Sequence, residues 1–442
     1  MVSCPLCGRP SGQSQLAEVG WLAPEILARL VEQNPGWRKS DGACPACVQR
    51  VLLETLLERG DAALHLGIQA AWPLDAEAAF GALPTPLRLH AHPHYTGRGV
   101  TIALVDSAFY PHPDLTRPTN RIRAWVEAGR APVRALFFGP HDVPQWPRWG
   151  AGEAAQWHGL MTTTVAAGNG WLSHGLYAGL ASQAELVLLQ VREDDGHITN
   201  RSIERALRWL LEHGPRLGVR VVNLSLGGDA VTPLAGNPVD EAVAALEAQG
   251  VTVVVAAGNN GERRLVPPAT APAALTVGGL DDHNTFDHAE VALWHSNYGD
   301  SSAAMPKPEL VAPSLWVVAP VLPGSGLAAE AAHLFARRAS GDRSVEPRLA
   351  ALKLVTPHYQ HVEGTSFAAP LTASVVACML AANPTLTPAQ VGDILVATAQ
   401  PVPGAPRERQ GAGALAAGAA VASALDERRA EPAGLSAAPL VA

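Results

Sequence analysis

The sequence predicts an α/β protein: a doubly wound parallel sheet with helices on both faces, plus a small zinc module at the N-terminus. Two observations carry the sheet. Apolar runs suited to buried strands recur at 99–106, 185–191, 219–226, 251–257 and 274–277. Helical patterns at 202–213, 239–249 and 367–382 alternate with them. Continuous apolar runs mark strands covered on both faces, and strand–helix alternation marks parallel pairing through crossovers. The third observation is a pair of Cys-x-x-Cys knuckles ahead of that alternation, which predicts the module.

Composition bounds the function. The 442 residues are 48% hydrophobic and 16% charged, enough for a large core and too apolar for general disorder. Net charge is −8 with basic residues scattered, which argues against nucleic acid as the main partner. The first residues show no positive stretch followed by an apolar one, and the apolar runs are short or broken. Neither a secretory signal nor a membrane span is therefore expected, and the expected location is cytoplasmic.

Residues 1–66 form the first unit. Cys4-Pro5-Leu6-Cys7 and Cys44-Pro45-Ala46-Cys47 each offer two thiolates, which together complete a Cys4 zinc site. Disulfides or a redox pair are the alternatives. A segment this small gains from a metal staple. Between the knuckles, 21–31 reads as an amphipathic helix with Pro24 at its first position, and 48–66 as a second helix. A closed Cys4 site leaves no coordination position for chemistry, so the unit is expected to be structural and could dock a protein partner. Residues 67–95, rich in Ala, Pro and His (including His90, His92 and His94), read as a solvated linker.

Three features of 96–425 carry chemistry. The run 99–106 ends on a carboxylate, Asp106. Trp157-His158-Gly159 opens a small-residue helix. Gly364-Thr365-Ser366-Phe367-Ala368-Ala369-Pro370 presents a hydroxyl at the mouth of an apolar helix closed by Asn383-Pro384. Helix N-termini favour developing negative charge, which suits a nucleophile whose reaction builds an oxyanion. Alone, Ser366 is equally an N-cap. Asp106, Ser225 and Asn259 stand at or just past strand ends, where sites form in such sheets.

The order Asp, His, Ser with these contexts resembles the subtilisin family of serine peptidases. Gly364 to Pro370 is similar to the family's G-T-S-x-A-x-P motif. Val105-Asp106-Ser107 with His112-Pro113-Asp114-Leu115 resembles its aspartate motif. Val222-Asn223-Leu224-Ser225-Leu226-Gly227-Gly228 is similar to the strand lining its substrate cleft, and Ala256-Ala257-Gly258-Asn259-Asn260-Gly261 to its oxyanion segment. The resemblance covers roughly 96–425. It implies a serine endopeptidase acting on proteins or peptides through an acyl-enzyme, with no catalytic cofactor. The catalytic residues would be Asp106, His158 and Ser366, with Asn259 as oxyanion donor. Ser225, Leu226, Gly227 and Gly228 would bind substrate as an added strand, the glycines letting its backbone come close. Calcium sites occur in the family, but no ligands can be assigned. The sequence departs from the family twice. Ala108 stands where the family has Gly, and His158-Gly159-Leu160-Met161 replaces H-G-T-H. The alternative reading is an inactive subtilisin-like protein-binding module.

Residues 116–156, with Trp125, Trp146 and Trp149 and with Trp157 following at once, and residues 322–358 read as insertions. An amphipathic helix at 327–338 could cover the cleft. Thr387-Pro388-Ala389-Gln390 reads as a capping-box helix start. The last segment, 426–442, is expected to be disordered.

Overall fold

The computed structural model describes residues 2–11, 22, 24–59, 81–144, 155–229, 236–285 and 291–430. The N-terminal unit contains α1 (Pro24–Gln33) and α2 (Pro45–Arg59), followed by the short helix α3 (Thr85–Arg88). The main chain of elements is then β1 (Thr101–Asp106), β2 (Ile122–Glu127), β3 (Arg134–Phe137), α4 (Gln156–Ala167), β4 (Glu185–Gln190), α5 (Asn200–His213), β5 (Val219–Leu224), α6 (Pro238–Ala248), β6 (Thr252–Ala256), β7 (Leu275–Asp281), β8 (Ala292–Leu293) and β9 (Leu310–Pro313). Among the described residues these make one nine-stranded sheet in the order β8-β7-β6-β5-β1-β4-β2-β3, with β9 also on β7. Every pairing is parallel except β3 on β2 and β8 on β7, at the margins.

Strand alternation sorts the core into two layers. In β1, Ile102 and Leu104 join the apolar cluster that holds α4 and the long helix α9 (Thr365–Ala382). Ala103 and Val105 point to the other face and pack with α5 and α6. The period of two along a strand makes this division. Helices therefore cover both faces, as the apolar runs require. The chain fills β2 and β4 on one side of β1 before crossing to β5, β6 and β7 on the other, and this reversal opens a crevice beside the carboxyl end of β1.

Several expectations need correction. Residues 81–95 are no solvated linker. Leu83 and Leu87 are buried in the same cluster as Cys4, Cys44 and the α1–α2 side chains. The buried Arg88 guanidinium makes a two-pronged ion pair with Asp282, at 2.9 and 2.7 Å, and donates to the carbonyls of Leu315 and Trp316. The segment thus packs on the N-terminal unit and ties it to the sheet. Residues 67–80 lie outside the described residues.

Residues 116–156 are not a surface insertion throughout, because β2 belongs to the sheet and Trp125 is buried in its core. Trp146 and Trp149 lie outside the described residues. The apolar runs are also not all short. Helix α9 is long and apolar enough to cross a membrane by length and composition, but 89% of that window is buried in the core. The segment 322–358 does hold a helix, α7 (Gly326–Ala339). Its Ala331 and Leu334 pack with Val345, Leu349 and Leu354 in a small core of their own. Capping-box hydrogen bonds between Thr387 and Gln390 start Pro388–Thr398, as the residue types require. The C-terminal expectation fails for 426–430, which continue the helix Ala417–Ala430; 431–442 lie outside the described residues.

Candidate active site

Asp106 is the last residue of β1 and is 1% exposed. Burying a carboxylate demands hydrogen bonds, and Asp106 accepts four. Oδ1 accepts from the Ser107 amide at 2.7 Å, the Ser107 hydroxyl at 3.2 Å and His158 Nδ1 at 2.7 Å. Oδ2 accepts from the Thr162 hydroxyl at 2.9 Å. Thr162 lies one turn beyond His158 on α4, so a single helix supplies two of the four bonds. Thr162 belongs to none of the sequence motifs above; its one signal there is a hydroxyl at i+4 from the histidine.

His158 sits in the first turn of α4, its ring nearly perpendicular to that of Trp157 at 5.2 Å between centroids. Burial pulls its pKa down, but the charge and hydrogen bond of Asp106 pull it up further, and the net shift is upward. Gly159 explains how α4 comes so near β1. A Cβ there would lie 2.0 Å from the carbonyl oxygen of Ala108. Ala108, Leu160 and Met161, the departures noted in the sequence, are all buried, and none of them hydrogen-bonds the Asp106–His158 pair.

Ser366 lies in the first turn of α9, whose N-cap is Gly364, so the N-cap reading of Ser366 does not hold. Pro370 sits four residues on and has no N–H to give to the Ser366 carbonyl. That carbonyl instead accepts the Ser225 hydroxyl at 2.8 Å, while the Ser366 hydroxyl donates to the Ser225 carbonyl at 3.3 Å. No hydrogen bond joins Ser366 to His158. Phe367, the next residue, lies 6.2 Å from the imidazole between ring centroids. The structure thus brings the Gly364–Pro370 turn and the histidine close together, with the serine turned to Ser225.

Asn259 follows β6. Its Oδ1 accepts from both the amide and the hydroxyl of Thr365, at 3.0 and 2.7 Å. Those donors fix the amide orientation and turn Nδ2 away from Thr365. A Cβ on Gly364 would lie 3.4 Å from Asn259 Nδ2 and 3.8 Å from the Ser366 nitrogen. Two N–H donors therefore border one small space above Gly364, as an oxyanion pocket requires.

The substrate stretch is only partly open. The Ser225 side chain is occupied as described, and the Gly228 amide donates to Pro267 at 2.8 Å. A Cβ on Gly227 would meet Val266 at 2.7 Å, and one on Gly228 would meet Asn200 Oδ1 at 1.6 Å. A Cβ on either glycine would thus meet the protein's own side chains, which gives a packing reason for glycine at both positions. The main chain of Leu226 and Gly227 makes no hydrogen bond among the described residues.

Far along the chain, the four N-terminal thiols converge. Cys4, Cys7, Cys44 and Cys47 hold their sulfurs within 4.8 Å of one another, with Cys4–Cys47 at 4.0 Å and Cys7–Cys44 at 3.6 Å. All four are free thiols at these distances, which rules out disulfides in this structure. Tetrahedral zinc with bonds of about 2.3 Å spaces its sulfurs about 3.8 Å apart, so the donor set fits a metal ion. The Cys44 amide also donates to Cys4 Sγ at 3.4 Å.

Comparison with known proteins adds a family. A model of the subtilase family matches residues 97–413. Serine protease AprX of Bacillus subtilis (strain 168) is 29% identical over 309 residues, 68% of this chain and 61% of its own. Subtilisin BL of Lederbergia lenta is 30% identical over 189 residues, 43% of this chain and 58% of its own. The matches thus span about three fifths of these relatives' length. Among solved structures, a protease of Pseudoalteromonas arctica PAMC 21717 superposes with a TM-score of 0.53 at 22% identity, over 78% of this chain and 94% of that one. That likeness concerns the fold.

Proposed function

The chain belongs to the subtilase family, and on that premise we propose that it is a serine endopeptidase whose catalytic residues are Asp106, His158 and Ser366. The observation that carries the reading is the 2.7 Å bond from His158 Nδ1 to the buried Asp106, beside the serine turn of α9. Asp106 keeps the proton on Nδ1 and so leaves Nε2 as the basic nitrogen. To give up its proton, the Ser366 side chain must turn from the Ser225 carbonyl toward Nε2. His158 takes that proton as Oγ attacks the peptide carbonyl, then passes it to the departing amine. The tetrahedral oxyanion lies in the space above Gly364, receiving hydrogen bonds from Asn259 Nδ2 and the Ser366 amide. Water then releases the acyl group by the same route. The free backbone of Leu226 and Gly227 pairs with the extended substrate.

The N-terminal thiols of Cys4, Cys7, Cys44 and Cys47 would hold a structural zinc ion. Zinc so closed in supplies a cross-link and no reactive position. Reduced thiols of this kind suit a cytoplasmic location. The module could also dock a protein partner.

One observation favours a second reading, an inactive protein-binding module: Ser366 bonds to Ser225 and not to His158. A fluorophosphonate probe separates the two. Labelling of the wild type, absent in Ser366→Ala, is expected of the peptidase; no labelling of well-folded protein would leave the binding module. Metal analysis tests zinc: about one equivalent is expected, lost on Cys44→Ser.

A further inference from the structure

β1, which carries Asp106 at its carboxyl end, borders with β4 and β2 a second cavity at their amino ends. It measures about 710 Å³, within the range of small-molecule sites. Five arginines line it: Arg9 from the N-terminal unit, Arg98 just before β1, Arg117, and Arg121 and Arg123 at the start of β2. Its single lining carboxylate among the described residues, Glu185 at the start of β4, is already paired with Arg123 at 2.8 Å. Arg9, Arg98 and Arg117 have no carboxylate partner among the described residues. Arg121 donates to the carbonyls of Ala184, Asp114 and Ala167, and its Nε is buried without a partner. This concentration of positive charge stands in a chain of net charge −8.

Like charges gathered round one cavity repel, and guanidinium forks match phosphate oxygens in pairs. An opposing charge on a ligand would offset that repulsion. The shape selects the ligand. β1, β4 and β2 are all interior to the sheet, so no free strand edge is offered to an extended acidic peptide. A compact anion can instead be reached by arginines from several sides. The site is separate from the serine crevice, since six-residue strands set the two ends about 20 Å apart.

We propose that this cavity binds a compact polyanion with two or more phosphate groups, clasped between the N-terminal unit and the amino ends of the sheet. The ligand has two sources, inorganic polyphosphate or a nucleoside triphosphate. Neither contact needs the peptidase reading to hold.

Calorimetric titration of the full chain with tripolyphosphate, and separately with ATP, tests the site. Saturable one-to-one binding of either that weakens with added salt is expected. The double variant Arg98→Gln/Arg117→Gln alters two exposed side chains and should keep its thermal unfolding midpoint while binding about tenfold or more weakly. Tighter binding of ATP would identify a nucleotide, and tighter binding of tripolyphosphate an inorganic chain. No saturation at millimolar concentration, or unchanged binding by the double variant, would overturn the proposal. So would an octaglutamate peptide that binds as tightly as tripolyphosphate.

Discussion

The two ends of β1 carry opposite kinds of polar chemistry. At the carboxyl end the buried charge is fully partnered: Asp106 takes four hydrogen bonds, and His158 and Thr162 reach it from one helix. At the amino end, among the described residues, arginines outnumber carboxylates five to one around an open cavity. A self-satisfied cluster is built to act on something that brings no charge of its own, such as a peptide bond. An unbalanced cluster is built to receive a charge. The contrast also governs what mutation should do, because a cooperative cluster fails as a unit and a set of exposed cations fails by degrees.

The largest effect expected is at the carboxyl end. Ser366→Ala should lower kcat by about a millionfold in peptide hydrolysis, with thermal unfolding unchanged. Residual turnover above about one per cent of wild type would mean that another group attacks. Asn259→Ala should lower kcat by about a hundred- to a thousandfold with little change in KM. A matched rise in KM instead would move Asn259 from the oxyanion pocket to ground-state binding.

Gly159→Ala probes the approach of α4 to β1. The added methyl meets the Ala108 carbonyl, so α4 must shift. A displacement near 1 Å lowers turnover about a hundredfold, and overpacking lowers stability by about 1–3 kcal/mol. Denaturant unfolding and kinetics on one preparation measure both.

Thr162→Val keeps the shape and removes one hydrogen bond to Asp106, and should slow turnover about tenfold. The pH profile discriminates its role. Because the pKa of His158 is raised, kcat/KM should increase with pH through a midpoint above the ordinary histidine value of about 6.5. Without the Thr162 hydroxyl, the Asp106 charge is less shared and that midpoint should move higher still; Thr162→Ser should restore it. A midpoint unmoved in the valine variant would reduce Thr162 to packing. The stability linked to His158 runs the other way: it is complete below the unfolded pKa and is lost as pH rises through the folded one. The smallest effect belongs to the amino end. Arg98→Gln or Arg117→Gln should leave hydrolysis without added ligand within about twofold, and a larger loss would show the two ends to be coupled.

The carboxyl end was legible in the sequence and the amino end was not, for a reason visible in particular residues. Asp106, His158, Asn259 and Ser366 each sit in a local pattern, and their order along the chain restricts them together. Arg98, Arg117 and Arg123 sit in no pattern; they meet because three strands start side by side. Residues 81–95 misled for a related reason. Their Ala, Pro and His content resembles a linker, while the feature that matters is Arg88 finding Asp282 nearly two hundred residues away. Trp125 was assigned to an insertion because β2 is short and interrupted by Arg123, although pairing with β4 buries it.

By itself the sequence determined the parallel α/β class, the pairing of the two Cys-x-x-Cys knuckles and the residues that face the crevice. Periodicity, turn residues and motif spacing are local quantities, and those features follow from local quantities. Only the tertiary structure decided which groups satisfy one another: Thr162 on Asp106, Ser225 on the carbonyl that Pro370 leaves free, Arg88 across the domain, and the arginines that converge with too few counter-charges. Such partnerships depend on distances between segments remote in sequence. Burial gives them their strength, because a polar group removed from water must find a partner wherever the fold brings one.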